Sequence, residues 1–193
     1  MESHQQKRSG KKRDGKLSGI YTRCLLTKTV SLDVKYIGKT LKSVLEKKIK
    51  ATIEGKCIVE GFVKFDSTKI ITYSSGVVTG EGVRFDVVVE CEVCYPVEGM
   101  LINCVARNIT KAGIRAESAD ESPSPIVCFI ARDHHNTSTQ FNNISEGDTF
   151  ITRVLGQRFE LNDKHISIIS ELALEKEKDR DTKRTKLPLK LMD

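Results

Sequence analysis

One stretch of this 193-residue chain has the apolar spacing of an amphipathic helix, and nearly every other apolar stretch has the spacing of strands. Leu41, Val44, Leu45, Ile49 and Ile53 fall at i, i+3, i+4, i+8 and i+12, a single stripe on a helix surface. Lys42, Glu46, Lys47 and Lys50 take the opposite side. Thr40 is placed to cap the start, and Gly55 stands just past the last turn, where helices favour glycine. A lone helix of this kind cannot bury its stripe by itself, so it must lie on the face of a sheet.

The strands for that sheet are legible on both sides of the helix. Ile20 to Val34 is rich in β-branched residues and reads as a first strand. Ile58, Phe62 and Val63, then Ile70, Ile71 and Tyr73, predict two segments about a turn at Asp66–Ser67. Ser74 to Gly82 holds three glycines and two serines and reads as a loop. Phe85, Val87, Val89, Cys91 and Val93 then alternate with Arg84, Asp86, Glu90 and Glu92, Val88 being the apolar exception. This pattern is a long, half-buried strand.

Tyr95-Pro96-Val97-Glu98-Gly99 punctuates the chain. Short strands follow at Met100–Asn108, Gly113–Glu117, Ile126–Ala131 (a continuous buried run), Phe150–Leu155 and Ile166–Ile169, with turns at Lys111–Gly113, Glu146–Asp148 and Leu161–Lys164. Five such strands fit a small closed barrel of the OB type. Asp133 to Ser145 is a polar excursion between the third and fourth of them. The expected fold class is α+β: an N-terminal antiparallel sheet with one packed helix, then a C-terminal five-stranded OB-type β-barrel. The expected division is a disordered basic arm over 1–19, the sheet domain over 20–96, the barrel over 97–172 and a charged tail over 173–193.

Composition excludes several classes. Hydrophobic residues make up 38% and charged residues 30%, as in a globular chain. No apolar run approaches the roughly 20 residues of a membrane helix, and the N-terminus has no apolar signal core. A nuclear or cytoplasmic protein, not a secreted one, is expected, with its six cysteines mostly reduced. The net charge of +6 sits largely in the arm, where Lys7, Arg8, Lys11, Lys12, Arg13 and Lys16 face only two acidic residues. Residues 97–170 carry seven basic and nine acidic side chains, so any nucleic-acid contact there needs a segregated patch. Candidates are Lys111, Arg115, Arg132, His134, His135, Arg153 and Arg158; Phe129, Phe141 and Phe159 could stack on bases, but a barrel this size needs core aromatics, and core is the favoured reading for each.

Catalytic motifs are missing. Cys91-Glu92-Val93-Cys94 has the spacing of a zinc or redox pair, but no second pair of ligands accompanies it. Its place inside a strand also sends the two thiols to opposite faces. His134 and His135 are adjacent, so their side chains diverge, and they suit base stacking better than a shared metal. Glu90 and Glu92 read as a solvated strand face rather than an acid–base pair. No phosphate-cradling glycine motif is present. The expectation is a binding protein with no catalytic residues, no metal and no cofactor.

The order of these features resembles a known family. GKCIVEG at 55–61, the glycine-bearing loop to Gly82, the strand Val83–Cys94, the joint Pro96-Val97-Glu98-Gly99, the NITKAGI turn at 108–114 and Gly147-Asp148 before a strand are similar to the stalk subunit of multisubunit RNA polymerases. That is the seventh subunit of the eukaryotic enzymes and its archaeal equivalent, with a barrel of the ribosomal S-one type. The resemblance spans about residues 20–172. It implies a non-catalytic subunit that docks on the polymerase core through the tip loop Thr72–Gly82 and the loop Asp33–Lys39. Asp33, Tyr36, Gly38, Tyr73, Gly76, Gly80 and Gly82 are the docking candidates. It further implies a smaller helical partner subunit along both domains, nascent single-stranded RNA on the barrel, and no membrane. The basic arm, the charged tail and the Asp133-His134-His135 excursion depart from the family, as would suit a large DNA virus encoding its own polymerase, acting in the virion or viral factory. The alternative is a free-standing single-stranded RNA-binding OB protein acting in translation or decay. A thiol enzyme built on Cys91 and Cys94 is a third, poorer option.

Overall fold

The computed structural model describes residues 19–80, 82–135 and 138–173. All but the last residue of the expected disordered arm and all but the first residue of the expected tail lie outside them. The first half is built around two 13-residue antiparallel strands, β1 (Tyr21–Asp33) and β6 (Gly82–Cys94), paired in register from Tyr21↔Cys94 to Asp33↔Gly82. The other edge of β6 is shared in turn by β5 (Val77–Thr79), β4 (Lys69–Tyr73) and β3 (Gly61–Val63), and β2 (Cys57–Ile58) pairs with β3. The alternation read along β6 holds. Val83, Phe85, Val87, Val89, Cys91 and Val93 are buried, and their intervening neighbours up to Glu92 are not.

Helix α1 (Leu41–Ile53) lies on that buried face. Leu45, Ile49 and Ile53 pack against Leu26, Val30, Phe85 and Val87, each burial contributing about 1.5–3 kcal/mol. The start of the helix differs from expectation: Thr40 occupies the cap position, but its side chain accepts no hydrogen bond there. The end matches. Glu54 caps α1, and Gly55 follows with φ +68. A Cβ at Gly55 would run into the ring of Phe65, so the site excludes other residues by space as well as by backbone. The Glu54 carboxylate accepts from the backbone N–H groups of Asp66 (3.2 Å) and Thr68 (3.0 Å), which fixes the turn where Asp66 takes φ 53.

The second half is a closed barrel. Its strands β7 (Leu101–Ile109), β8 (Gly113–Ser118), β9 (Ile126–Ala131), β10 (Thr149–Arg158) and β11 (Ile166–Leu172) close in the order β7-β8-β9-β11-β10, and β10 returns to β7. Only β9 and β11 run parallel. This is the OB arrangement. Ile102, Cys104, Ala106, Ile114, Ala116, Ile126, Cys128, Ile130, Val154, Ile166 and Ile168 fill the interior. The excursion after β9 carries a 3-10 turn at Arg132–His135 and the four-residue helix α2 (Thr139–Asn142). The run Ile126–Ala131 is not buried throughout. Alternate residues point in, and Phe129 points out.

Sheet and barrel share apolar packing. Ile20, Cys57, Phe62 and Cys94 belong to the same buried cluster as the barrel interior. Backbone bonds link Cys57 N–H to the Asp163 carbonyl and Asn162 N–H to the Cys57 carbonyl, both 2.8 Å. Lys64 meets Glu121 at 2.8 Å and Glu92 at 3.1 Å and lies over the ring of Tyr21. The Tyr21 hydroxyl donates to Glu121 at 2.7 Å; burial, then the Glu121 carboxylate, push that phenol well above its ordinary range.

Candidate functional site

The outer wall of the barrel carries one apolar row bordered by arginines. Register places Arg115 beside Phe129 across β8 and β9, Phe129 beside Ile169 across β9 and β11, and Ile169 beside Gly156 across β11 and β10. Phe129 is 38% exposed and Ile169 53%, two apolar side chains side by side on the outer wall. Gly156 brings no side chain over Ile169, and the bulge at Leu155 exposes that side chain beside it. On β10, Arg153 and Arg158 flank the row: Arg158 stands opposite Ser167, and Arg153 opposite Glu171. Arg158 also meets Glu160 at 3.3 Å. The exposed Arg115 side chain makes no hydrogen bond or ion pair within the described residues.

Lys111, Arg132 and His134 gather at one end of the same wall. Arg132 donates to the carbonyls of Lys111 (3.0 Å) and Thr110 (3.3 Å) and to Asn142 Oδ1 (3.2 Å), with its guanidinium over Phe141. It therefore ties the β7–β8 turn to α2, and its donors are largely committed. Lys111 and His134 are exposed. His135 turns inward instead. It stacks on Phe141 at 5.3 Å and 12°, and its Nε2 accepts from the Leu172 N–H at 3.2 Å. That bond needs an unprotonated nitrogen. Burial is the main cause holding its pKa below the usual imidazole range; Glu171 opposes this and His134 adds to it. Phe141 is likewise core, and Phe159 packs edge-on against Tyr95. Neither is a platform.

The docking candidates meet at the opposite end of the long strands. The segment expected as a loop is a hairpin: β5 pairs with β6, bringing Val78 opposite Val83 and Thr79 opposite Gly82. Asp33, paired with Lys35 at 3.1 Å, stands opposite Gly82, so the turn carrying Tyr36 and Gly38 follows directly from the hairpin base. Gly80 is open, with nothing within 4 Å of an added Cβ. Gly76 is not open: a Cβ there would lie 2.5 Å from Val83 Cγ1 and 2.9 Å from the Phe85 ring. Tyr73 packs edge-on against Phe85. Exposed Val34, Tyr36, Ile37, Val77 and Val78 make this end apolar, Val78 at 73%.

The residues that sequence reasoning passed over are Ile169, Leu155, Val34, Ile37, Val77 and Val78, and the core role favoured for Phe129 is corrected, since its position in β9 points outward. The phase of β9 and β11, the bulge in β10, the turn after β1 and the pairing of β5 distinguish them, and none of these is local information.

The cysteines carry no such surface. Cys91 lies in the sheet–helix core and Cys94 in the core shared with the barrel, on opposite faces of β6. Burial, above all, pushes their thiols up to about 11 and about 12, the reverse of a reactive or metal-ready pair. No group of three or more potential metal ligands occurs among the described residues. No helix there is long and apolar enough to cross a membrane.

By its architecture the chain is an OB-barrel protein fused to an antiparallel sheet with a packed helix. No family model matches it. It is similar to a protein of Acanthamoeba polyphaga mimivirus, provisionally named a DNA-directed RNA polymerase subunit, at 24% identity over 169 residues, 79% of this chain and 82% of that relative.

Proposed function

We propose that this protein is a non-catalytic stalk subunit of a DNA-directed RNA polymerase, with an anchoring sheet half and a transcript-holding barrel half. The hairpin tip and the adjoining turn, with Val34, Tyr36, Ile37, Val77 and Val78 exposed, dock on the large subunits. A smaller helical subunit packs along sheet and barrel. The barrel wall at Phe129 and Ile169, with Arg115, Arg153 and Arg158 around it, holds emerging single-stranded RNA by stacking and phosphate contact, without reading sequence. Lys111 and His134 extend that wall at one end. Arg132 and His135 hold the barrel's structure rather than RNA.

The observation that carries the reading is the 169-residue similarity, because it runs through 79% of this chain rather than through one domain. Affinity isolation of the tagged full chain from cells expressing the polymerase tests it. Recovery of the large subunits in near-equal amount is expected, and their absence from repeated isolations overturns it. The Phe129 platform also suits a free-standing RNA-binding protein. In that case the lone chain binds single-stranded RNA tightly and steeply in salt, log K falling by about 0.7 per phosphate contact, and brings down no polymerase.

A further inference from the structure

Cys24 and Cys91 stand directly opposite one another across the β1–β6 ladder. Both face the helix side: Cys91 is in that core, and Cys24 packs against it. Directly opposed residues of an antiparallel pair have Cα atoms about 4.5–5.5 Å apart, inside the roughly 4.4–6.8 Å that a disulfide spans. Cys24 is also the one cysteine of the six that is not buried. The Cys91–Cys94 motif hides this relation, because its spacing puts those two thiols on opposite faces while the register of β1 supplies the true neighbour.

We propose that Cys24 and Cys91 are a thiol–disulfide pair, closed by a small disulfide oxidant of the glutathione type into a cross-strand link. The Cys24 thiolate attacks one sulfur of glutathione disulfide. A Cys24–glutathione bond forms, the original S–S bond breaks, and one glutathione leaves as its thiol. Cys91, once deprotonated, attacks the Cys24 sulfur and expels the second glutathione. Two protein thiols lose two electrons and two protons, and one glutathione disulfide becomes two glutathiones. Cys24 is the entry point because it is the reachable sulfur. Cys91 stays a thiol at neutral pH, its pKa pushed up to about 11 mainly by burial and also by the neighbouring Cys24, so it acts as the resolving group only after Cys24 has been modified.

Among the other cysteines, Cys104 and Cys128 also meet thiol to thiol, but both are buried, so neither offers an oxidant a reachable sulfur. Cys57 and Cys94 have Phe62 between them in the ladder. Cys104 and Cys128 lie in the closed barrel, bonded to Thr152 (3.5 Å) and Ser170 (2.6 Å). The link would close a loop containing α1 and β2 to β5, clamping the sheet near its barrel end. This inference does not depend on the polymerase reading.

The test is to equilibrate the purified full chain with glutathione at graded reduced-to-oxidised ratios, trap free thiols with an alkylating agent, and map peptides without reduction. The expected product is the full chain less two hydrogens, with the Cys24 and Cys91 peptides joined. In Cys91→Val, Cys24 should stop at the glutathione adduct, and in Cys24→Ser no oxidised product should form. Persistent glutathione adduct at Cys24 in the wild-type chain overturns the proposal. So does full alkylation of both residues under oxidising ratios, or a link joining any other pair.

Discussion

At the residue scale, two side chains of the excursion and barrel wall carry opposite duties, and both can be tested. Phe129 projects outward between Arg115 and Ile169. Replacing it with alanine removes a stacking surface without opening the core. Base stacking is worth roughly 1–3 kcal/mol per base, so Phe129→Ala should weaken binding of a short single-stranded RNA by about 5- to 150-fold in fluorescence anisotropy. The melting temperature should barely move. His135 works inside. Its neutral form accepts the Leu172 N–H, so the folded chain resists its protonation while the unfolded chain takes up a proton near pH 6.5. The unfolded state therefore binds more protons below that value. The stabilisation is present above about pH 6.5 and is lost as pH falls from there toward the lower folded pKa. Thermal midpoints from pH 7.5 to 5 should decline less steeply in His135→Gln than in the native chain. Equal slopes would remove His135 from the account.

At the element scale, the hairpin β5–β6 and the end of α1 show what local sequence does and does not reveal. Helix α1 was legible to within its ends, because a 3.6-residue stripe and a terminal glycine are both local signals. The buried phase of β6 was legible for the same reason. β5 was not: Val77, Val78 and Thr79 sit between glycines and serines and become a strand only because β6 offers an edge. The barrel strands were found, but the run Ile126–Ala131 concealed which alternate set faces in, since every residue in it is apolar. Two predictions belong here. Gly55→Ala forces a positive φ on alanine and drives a methyl into Phe65; it should cost about 2 kcal/mol, lowering the melting temperature by roughly 4–8 °C by calorimetry. At the hairpin, Val78→Asp changes a 73% exposed residue and should leave the melting temperature within a degree or two, while lowering polymerase recovery at least several-fold. Gly76→Arg would not separate docking from folding, since Val83 and Phe85 already fill that space.

At the scale of the whole molecule, the account needs sheet and barrel to hold a fixed relation, so that anchoring one end directs the other. The shared core around Phe62 and Cys94 supplies most of that rigidity, and the Tyr21–Glu121–Lys64 cluster adds orientation. Lys64 is partly exposed, so its ion pairs each contribute about 0–1 kcal/mol. The most direct measurement is cross-linking mass spectrometry on polymerase isolated through this chain while it is making RNA. The account predicts protein cross-links to the large subunits from Lys35 and Lys39 beside the tip, and transcript cross-links in the peptides holding Arg115, Phe129 and Arg153. Transcript cross-links at the hairpin with large-subunit cross-links on the barrel wall, or no polymerase subunits in the isolate, would contradict it.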